Sequence, residues 1–398
     1  MVYHAYMKLF LFLSFFIFTI GCVQDASTTS SSTTINPDEI KKRPVIKDYR
    51  DYENDASSFL LNKLDLNYSF EKPWAMEFIE DTKIVITEKN GKLLLVDLIN
   101  GDVSTIKHEI PSFQHGQGGL LDVVREKDYL YLSFTIMNEE KKYTTAIGRG
   151  KFTSPFNELN DFEIIFTAQP YYNDGKHFGS RVIIKDNQIY ASIGERGQGF
   201  AAQELDSHTG SIVRINLDGS VPNNPYQEYA DALPEIFMIG VRNPQGMALS
   251  EKNEIFISNH GAKGGDFIGL VNAKKNYGWN KIGWGGTNYS GTKIGAGESF
   301  SNKFEMPLLS WVPSIAPSDI IFYKGNEFPD WEGDLLVTSL KFKMLLRLKM
   351  ENGKIIDEFI ILKDEIGRIR DVDINSQGEI FLISDENNSE LWKLNSLN

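Results

Sequence analysis

A single cysteine in 398 residues excludes an internal disulfide. After the first 22 residues no second long apolar run occurs, so no later membrane-crossing helix is expected. Basic charge is scarce as well. Lys and Arg total 41 against 54 Asp and Glu, giving a net charge of −13. So acidic a chain is a poor partner for nucleic-acid phosphates, and any local cluster of Arg and Lys in it is informative. Strong helical periodicity is missing throughout. What is plentiful is aromatic residues, at 12%, and glycine, at 33 positions, which favour a turn-rich β protein.

The start of the chain has the form of an export signal. Lys8 precedes an apolar run from Leu9 to Ile20, followed by Gly21 and Cys22. The run falls short of the roughly 20 apolar residues that span a bilayer as a helix. A basic residue, a short apolar stretch and a small residue at the break are the parts of a secretory signal. Thr19-Ile20-Gly21-Cys22 resembles the bacterial lipobox, whose cysteine is acylated. Residues 1–22 are therefore expected to be a lipoprotein signal peptide. The protein is expected to be exported and lipid-anchored at Cys22 to a bacterial membrane, facing the periplasm or the exterior. An ordinary cleaved signal with an incidental cysteine is the alternative. Residues 23–55, rich in Ser, Thr, Asp and Lys, cannot bury enough surface to offset their ordering entropy and read as a flexible tether.

From residue 56 to 398 one pattern recurs six times: Ala75–Leu98, Leu120–Phe152, Arg181–Leu217, Gly246–Val271, Asp319–Met350 and Asp371–Leu394. Each copy holds short strands rich in Ile, Val, Leu, Phe and Tyr, broken by hairpin turns such as Asn90-Gly91 and Gln377-Gly378. Spacings of roughly 45 to 65 residues suit propeller blades. The expected fold is all-β, a six-bladed β-propeller, with the segment around Phe70 to Trp74 closing the ring against the last repeat. In such a ring, ligand-binding residues gather on the loops around the channel mouth.

Those loops carry unusual polar groups. His177 enters the third repeat and can accept a proton near neutral pH, although most single histidines are structural. Arg242-Asn243-Pro244-Gln245-Gly246 is a rigid, donor-rich turn, suited either to an acidic ligand or to structure alone. Lys341 lies between two strands of the fifth repeat. Arg368 and Arg370, two residues apart in an extended segment, project to one side and repel unless something anionic lies between them. A solvated basic surface and a bound polycarboxylate both fit that pair. His260-Gly261-Ala262-Lys263-Gly264-Gly265-Asp266 is a glycine-rich loop that could turn carbonyls toward a hard cation or merely connect strands.

Taken together these segments resemble the aldose sugar dehydrogenases of the glucose/sorbosone dehydrogenase family, from about Phe70 to the C-terminus. The resemblance is carried by Gly116-Gln117-Gly118-Gly119-Leu120-Leu121, His177-Phe178-Gly179-Ser180-Arg181, Asp206-Ser207-His208-Thr209-Gly210 and Arg242 to Gly246. Asn276-Tyr277-Gly278-Trp279, Trp311 to Ser318 and Arg368-Ile369-Arg370-Asp371-Val372 complete it. It implies a six-bladed propeller that uses pyrroloquinoline quinone (PQQ) and calcium to oxidise an aldose to a lactone. His177 is implied as general base, Glu195 as the acid that orients it, and Arg242 as the cation that stabilises developing negative charge. Gln117, Arg181, Asn243, Ser314, Lys341, Arg368 and Arg370 are implied as cofactor contacts. Carbonyls of Gly261 and Ala262 are implied as calcium ligands.

Several positions depart from the family pattern. Ala262 replaces a usual proline and Val241 a common histidine. Phe267 and Gly269 stand where glutamate and asparagine are frequent, which weakens the case for a second, side-chain-held calcium. Two other functions fit a secreted propeller: a metal-dependent lactonase, and a binding module without catalysis. The first would need several carboxylates converging on one cation. The second sits poorly beside the joint presence of His177, Arg242, Lys341, Arg368 and Arg370. The electron acceptor and the preferred sugar are not encoded in any motif.

Overall fold

The computed structural model describes residues 45–49 and 59–397. The expected signal peptide, Cys22 and most of the expected tether lie outside them. Six antiparallel sheets follow one another along the chain, one for each repeat. Their innermost strands are Pro73–Glu80, Leu120–Glu126, Gly179–Lys185, Pro244–Leu249, Pro317–Phe322 and Ile369–Ile374. Each inner strand packs on the next and the sixth packs on the first, so the ring closes as a six-bladed propeller.

Closure differs in detail from the expectation. The outer strand of blade six is Phe59–Lys63, paired antiparallel with Trp392–Ser396. Phe70–Glu71 pairs instead with Asn387–Ser389, beside that blade. Part of the expected tether is also ordered. Val45–Lys47 adds a parallel strand to Leu309–Trp311 at the outer edge of blade four, where an unpaired edge would otherwise stand open. Tyr49 is buried and hydrogen-bonded to Glu358.

The same two devices recur around the ring. Every inner strand slips register against its neighbour within its first residues, between Leu120 and Val123 in blade two and between Gly179 and Val182 in blade three, for example. Such bulges re-aim a side chain, and here they turn the third residue of each strand toward the axis. A hydroxyl on the second strand then fixes the bulge. Thr87, Ser133, Ser192 and Thr338 accept the N–H of Ala75, Asp122, Arg181 and Asp319 at 2.9–3.1 Å. The first three also donate to Leu121, Ser180 and Pro244 of the following blade, at 2.5–3.0 Å. Because adjacent blades share these bonds, neighbouring loop ends are held in fixed relation. Apolar clusters fill the space between blades. One runs from Trp74 and Val85 through Leu120, Leu132 and Phe134 to Phe178, all buried. Each such Val, Leu or Phe contributes about 1.5–3 kcal/mol by leaving water.

At the axis the third residues are Ala75, Asp122, Arg181, Gly246, Asp319 and Asp371. Arg181 fills the channel. It pairs with Asp122 and Asp371 at 2.8 Å and Asp319 at 3.2 Å, donates Nε to the Gln245 carbonyl at 2.9 Å, and stacks over Trp74. Burial pushes Asp122 up to about 7 even against the Arg181 charge, since three carboxylates outnumber one guanidinium.

Candidate active site

The loops that enter the inner strands, and the residues that leave the second strands, all open on one face of the ring. Gln117, His177, Arg242, Asn243, Ala316 and Arg368 come from the first group, and Trp74 and Arg370 are the second residues of their inner strands. Lys89, His260, Leu340 and Asp385 come from the second group, and Tyr289 comes from a longer loop. With Gln245 they line one cavity of about 260 Å³.

His177 stands on one wall, its ring Nδ1 hydrogen-bonded to Glu195 Oε1. Its Nε2 has no hydrogen-bond partner among the described residues. The backbone is fixed on both sides: the His177 N–H donates to Gln117 Oε1 at 2.7 Å, and the Glu195 N–H donates to the Arg242 carbonyl at 2.7 Å. Gly194 lets the two segments approach, since a Cβ there would collide with the His177 carbonyl oxygen. Burial lowers the pKa of His177 below its ordinary value. Glu195 opposes that shift, and the nearby Arg242 and Lys176 charges reinforce it. The imidazole is thus neutral at pH 7 and aimed at the cavity.

Arg242 carries the next charge. Its guanidinium pairs with no carboxylate among the described residues and lies 5.2 Å from the centre of the Trp279 ring. Asn259 Oδ1 accepts the N–H groups of both Arg242 and Asn243, at 2.9 and 3.0 Å, and Asn243 Oδ1 accepts the N–H of Gly179 at 3.0 Å. That network ties the arginine turn to the histidine loop.

Opposite them, the anion expected between Arg368 and Arg370 is present, and it belongs to the chain itself. Both guanidiniums reach Asp385 Oδ2, at 3.4 and 3.0 Å. Burial raises the pKa of Asp385, but Arg370, Lys89 and Arg368 outweigh it and hold the carboxylate below its ordinary range. Burial lowers the pKa of Lys89 in turn. The lining therefore holds Lys89, Arg242, Arg368 and Arg370 against Asp385 alone. Three cations in excess in so acidic a chain mark a site for a multiply charged anion.

Buried polar atoms also await a ligand, an acceptor for Arg370 Nε and a donor for Asp385 Oδ1. Arg370 Nε, Asp385 Oδ1 and His260 Nε2 are buried without a partner among the described residues. Each costs about 1–3 kcal/mol unless a ligand supplies the bond. His260 is kept neutral by burial, with Arg242 and Arg370 adding to the shift, so it can give or take a hydrogen bond.

Six of the residues singled out in the sequence meet in this cavity: Gln117, His177, Arg242, Asn243, Arg368 and Arg370, with Glu195 directly behind His177. The others stand elsewhere. Arg181 does not line the cavity: the bulge turns it, as third residue of its inner strand, into the channel, where three carboxylates hold it. Ser314 donates to Asp266 Oδ2 at 2.7 Å, one residue removed from the lining residue Ala316's neighbour Ile315. Lys341 follows Leu340 on an exposed turn, its ammonium over the Phe342 ring. Gly261 and Ala262 follow His260, and the Gly261 N–H donates to Asp266 Oδ1 at 2.6 Å. Lys89, His260 and Asp385 had a common sequence signal. Each lies two residues past the second-strand position that faces the bulge, Thr87, Ser258 and Ile383, as Glu195 lies three past Ser192.

Comparison with known proteins agrees with this geometry. The family described as glucose/sorbosone dehydrogenase matches residues 70–393. An aldose sugar dehydrogenase of Escherichia coli, YliI, is 34% identical over 354 residues, covering 86% of this chain and 95% of its own. Quinoprotein glucose dehydrogenase B of Acinetobacter calcoaceticus is 28% identical over 415 residues, covering 82% and 86%. The crystal structure of the soluble E. coli aldose sugar dehydrogenase in its apo form superposes with a TM-score of 0.80. It is 32% identical and covers 84% of this chain and 99% of that one. A matched span that takes in all six inner strands and every residue of the cavity places the chain in the glucose/sorbosone dehydrogenase family.

Proposed function

We propose that the protein oxidises an aldose at its anomeric carbon, with pyrroloquinoline quinone bound in the cation-lined cavity. The observation that carries the reading is the neutral His177, held by Glu195, facing a cavity where Lys89, Arg242, Arg368 and Arg370 converge. The quinone carries three carboxylates, which suits these cations and the free Arg370 Nε. When bound, it accepts the hydride that leaves the anomeric carbon. His177 Nε2 takes the proton of the anomeric hydroxyl, so loss of hydride and proton together leaves the lactone. Glu195 holds the Nδ1–H tautomer that makes Nε2 the acceptor and stabilises the cation formed there. Arg242, without a counter-charge, stabilises negative charge as it develops.

Calcium is proposed at the carbonyls of Gly261 and Ala262. What supports this is that neither carbonyl accepts a backbone hydrogen bond among the described residues, and oxygen is the ligand a hard cation requires. Export and acylation at Cys22 are proposed from the N-terminal sequence, and labelling with a radioactive fatty acid in the parent and Cys22→Ser tests them. A lactonase fits less well. The three carboxylates that converge, Asp122, Asp319 and Asp371, are taken up by Arg181 at the axis.

The test is reconstitution of the purified apoprotein with the quinone and calcium, followed by dye reduction with a panel of aldoses. Turnover that requires the quinone supports the proposal. Quinone binding without oxidation of any aldose would sink it.

A further inference from the structure

Arg196 follows Glu195 in the chain and reaches back around the base. It is among the largest fully buried side chains, yet no carboxylate among the described residues pairs with it. Nε donates to the Lys176 carbonyl at 3.0 Å, Nη1 to the Tyr143 carbonyl at 2.9 Å, and Nη2 to the Asp174 carbonyl. Its plane lies over the Phe178 ring, 3.6 Å from the centroid, and its own N–H donates to the His177 carbonyl at 3.3 Å. The adjacent carboxylate, Glu195, is taken by His177, and that of Asp174, whose carbonyl Arg196 binds, is engaged by Lys176 at 3.1 Å. One planar fork thus grips the residues on both sides of His177.

The grip falls on strained backbone. His177 has φ +52°, in the left-handed region, and Gly179 and Ser180 follow at +67° and +84°. A residue other than glycine held there costs about 1–3 kcal/mol and persists only where its surroundings impose it. The guanidinium is itself unfavourable where it lies, since burial lowers its pKa to about 10. A buried arginine kept for stability alone would be expected to pair with a carboxylate. Here it binds carbonyls instead, two of them, Asp174 and Lys176, in the segment that leads into the base and the third, Tyr143, on the neighbouring blade.

We infer that Arg196 is a positioning residue, a clamp that holds the 174–178 segment in its left-handed turn so that one imidazole reaches Glu195 and the cavity together. The inference rests on the reading of His177 as base. Lysine could not replace it, because an ammonium offers no planar fork for three carbonyls and no face for Phe178.

The test combines a double-mutant cycle with a spectrum. Arg196→Met in the reconstituted protein is expected to lower kcat by about 10²-fold, the loss that a misplaced catalytic group produces. The half-saturating quinone and the KM for aldose should stay within about threefold, since neither depends on the aim of the ring. In a His177→Ala background the same change should alter the residual rate by less than about threefold, because the group it positions is gone. Equal losses in both backgrounds, or full turnover in Arg196→Met, overturn the inference. Should Arg196→Met fail to fold, Arg196→Lys decides. The downfield proton resonance of the His177–Glu195 hydrogen bond should be present in the parent and absent in that variant. Its retention together with full turnover overturns the clamp. Parental turnover in His177→Ala alone would overturn the base assignment instead, whatever Arg196 does.

Discussion

His177 and Glu195 share one hydrogen bond, Nδ1–H donated to Oε1, and the two residues come from neighbouring loops of the same blade. The pair sets the pH dependence expected of the enzyme. A base must be unprotonated to act, so kcat/KM falls as pH drops through its pKa. That pKa is lowered here, so the acid limb should lie below pH 6.5, the ordinary histidine value. Glu195→Gln removes a charge that raises it and should move the limb further down, with kcat lower by about 10²-fold or more. Arg242→Gln removes a charge that lowers it and should move the limb up. Shifts in the opposite directions would contradict the assignment.

Arg370 is expected to act on cofactor affinity rather than on chemistry. Arg370→Met removes a buried guanidinium whose Nε has no protein partner. A lost charge-assisted bond of about 1.5–3 kcal/mol corresponds to quinone binding weaker by about 10- to 100-fold. Titration of the apoprotein, followed by the absorbance of the quinone, measures this, and kcat at saturating quinone should change little.

Arg181 should behave differently. Arg181→Met leaves Asp122, Asp319 and Asp371 facing one another without their cation. Removing one partner from a buried ion cluster costs about 3–5 kcal/mol. Thermal unfolding should show a markedly lower Tm, and the folded fraction should still bind quinone. An unchanged Tm with lost quinone binding would restore Arg181 to the cofactor site.

Asp373, toward the opposite mouth, gives a second stability test. Burial pushes its pKa up to about 7, with the Asp371 charge adding to the effect. A carboxyl whose folded pKa is raised holds its proton in the native state where the unfolded chain has lost it. Its contribution is therefore lost as pH rises through about 7. Asp373→Asn should gain Tm relative to the parent on going from pH 5 to pH 8, by about 2–4 °C for each kcal/mol of relief. A gain at pH 5 that shrinks at pH 8 would reverse the sign and sink the argument.

The blades were legible because their signal is local. Each repeat carries its own alternation and its own turn, as in Ile84–Glu88 and Leu93–Asp97, and hairpin pairing needs nothing further. Closure was harder to read. Phe59–Lys63 and Phe70–Glu71 are both short and amphipathic, and which of them completes blade six depends on partners more than 300 residues away. The site divides in the same manner. His177, Glu195 and Arg242 lie on loops whose composition is unusual in the sequence itself. Arg181 could not be separated from them, since only the bulge between Gly179 and Val182 sends its side chain to the axis. Lys89 and Asp385 were invisible one at a time, and they emerge when the second strands are aligned on the residue that faces the bulge, Thr87 in blade one and Ile383 in blade six.

The central claim is that His177 takes the proton from the sugar. The measurement that bears on it most directly is a single turnover, in which quinone-loaded protein is mixed with excess aldose and the absorbance of the bound quinone is followed. His177→Ala should bind quinone within about threefold of the parent and reduce it about 10²–10⁴-fold more slowly. Reduction at the parental rate would contradict the account.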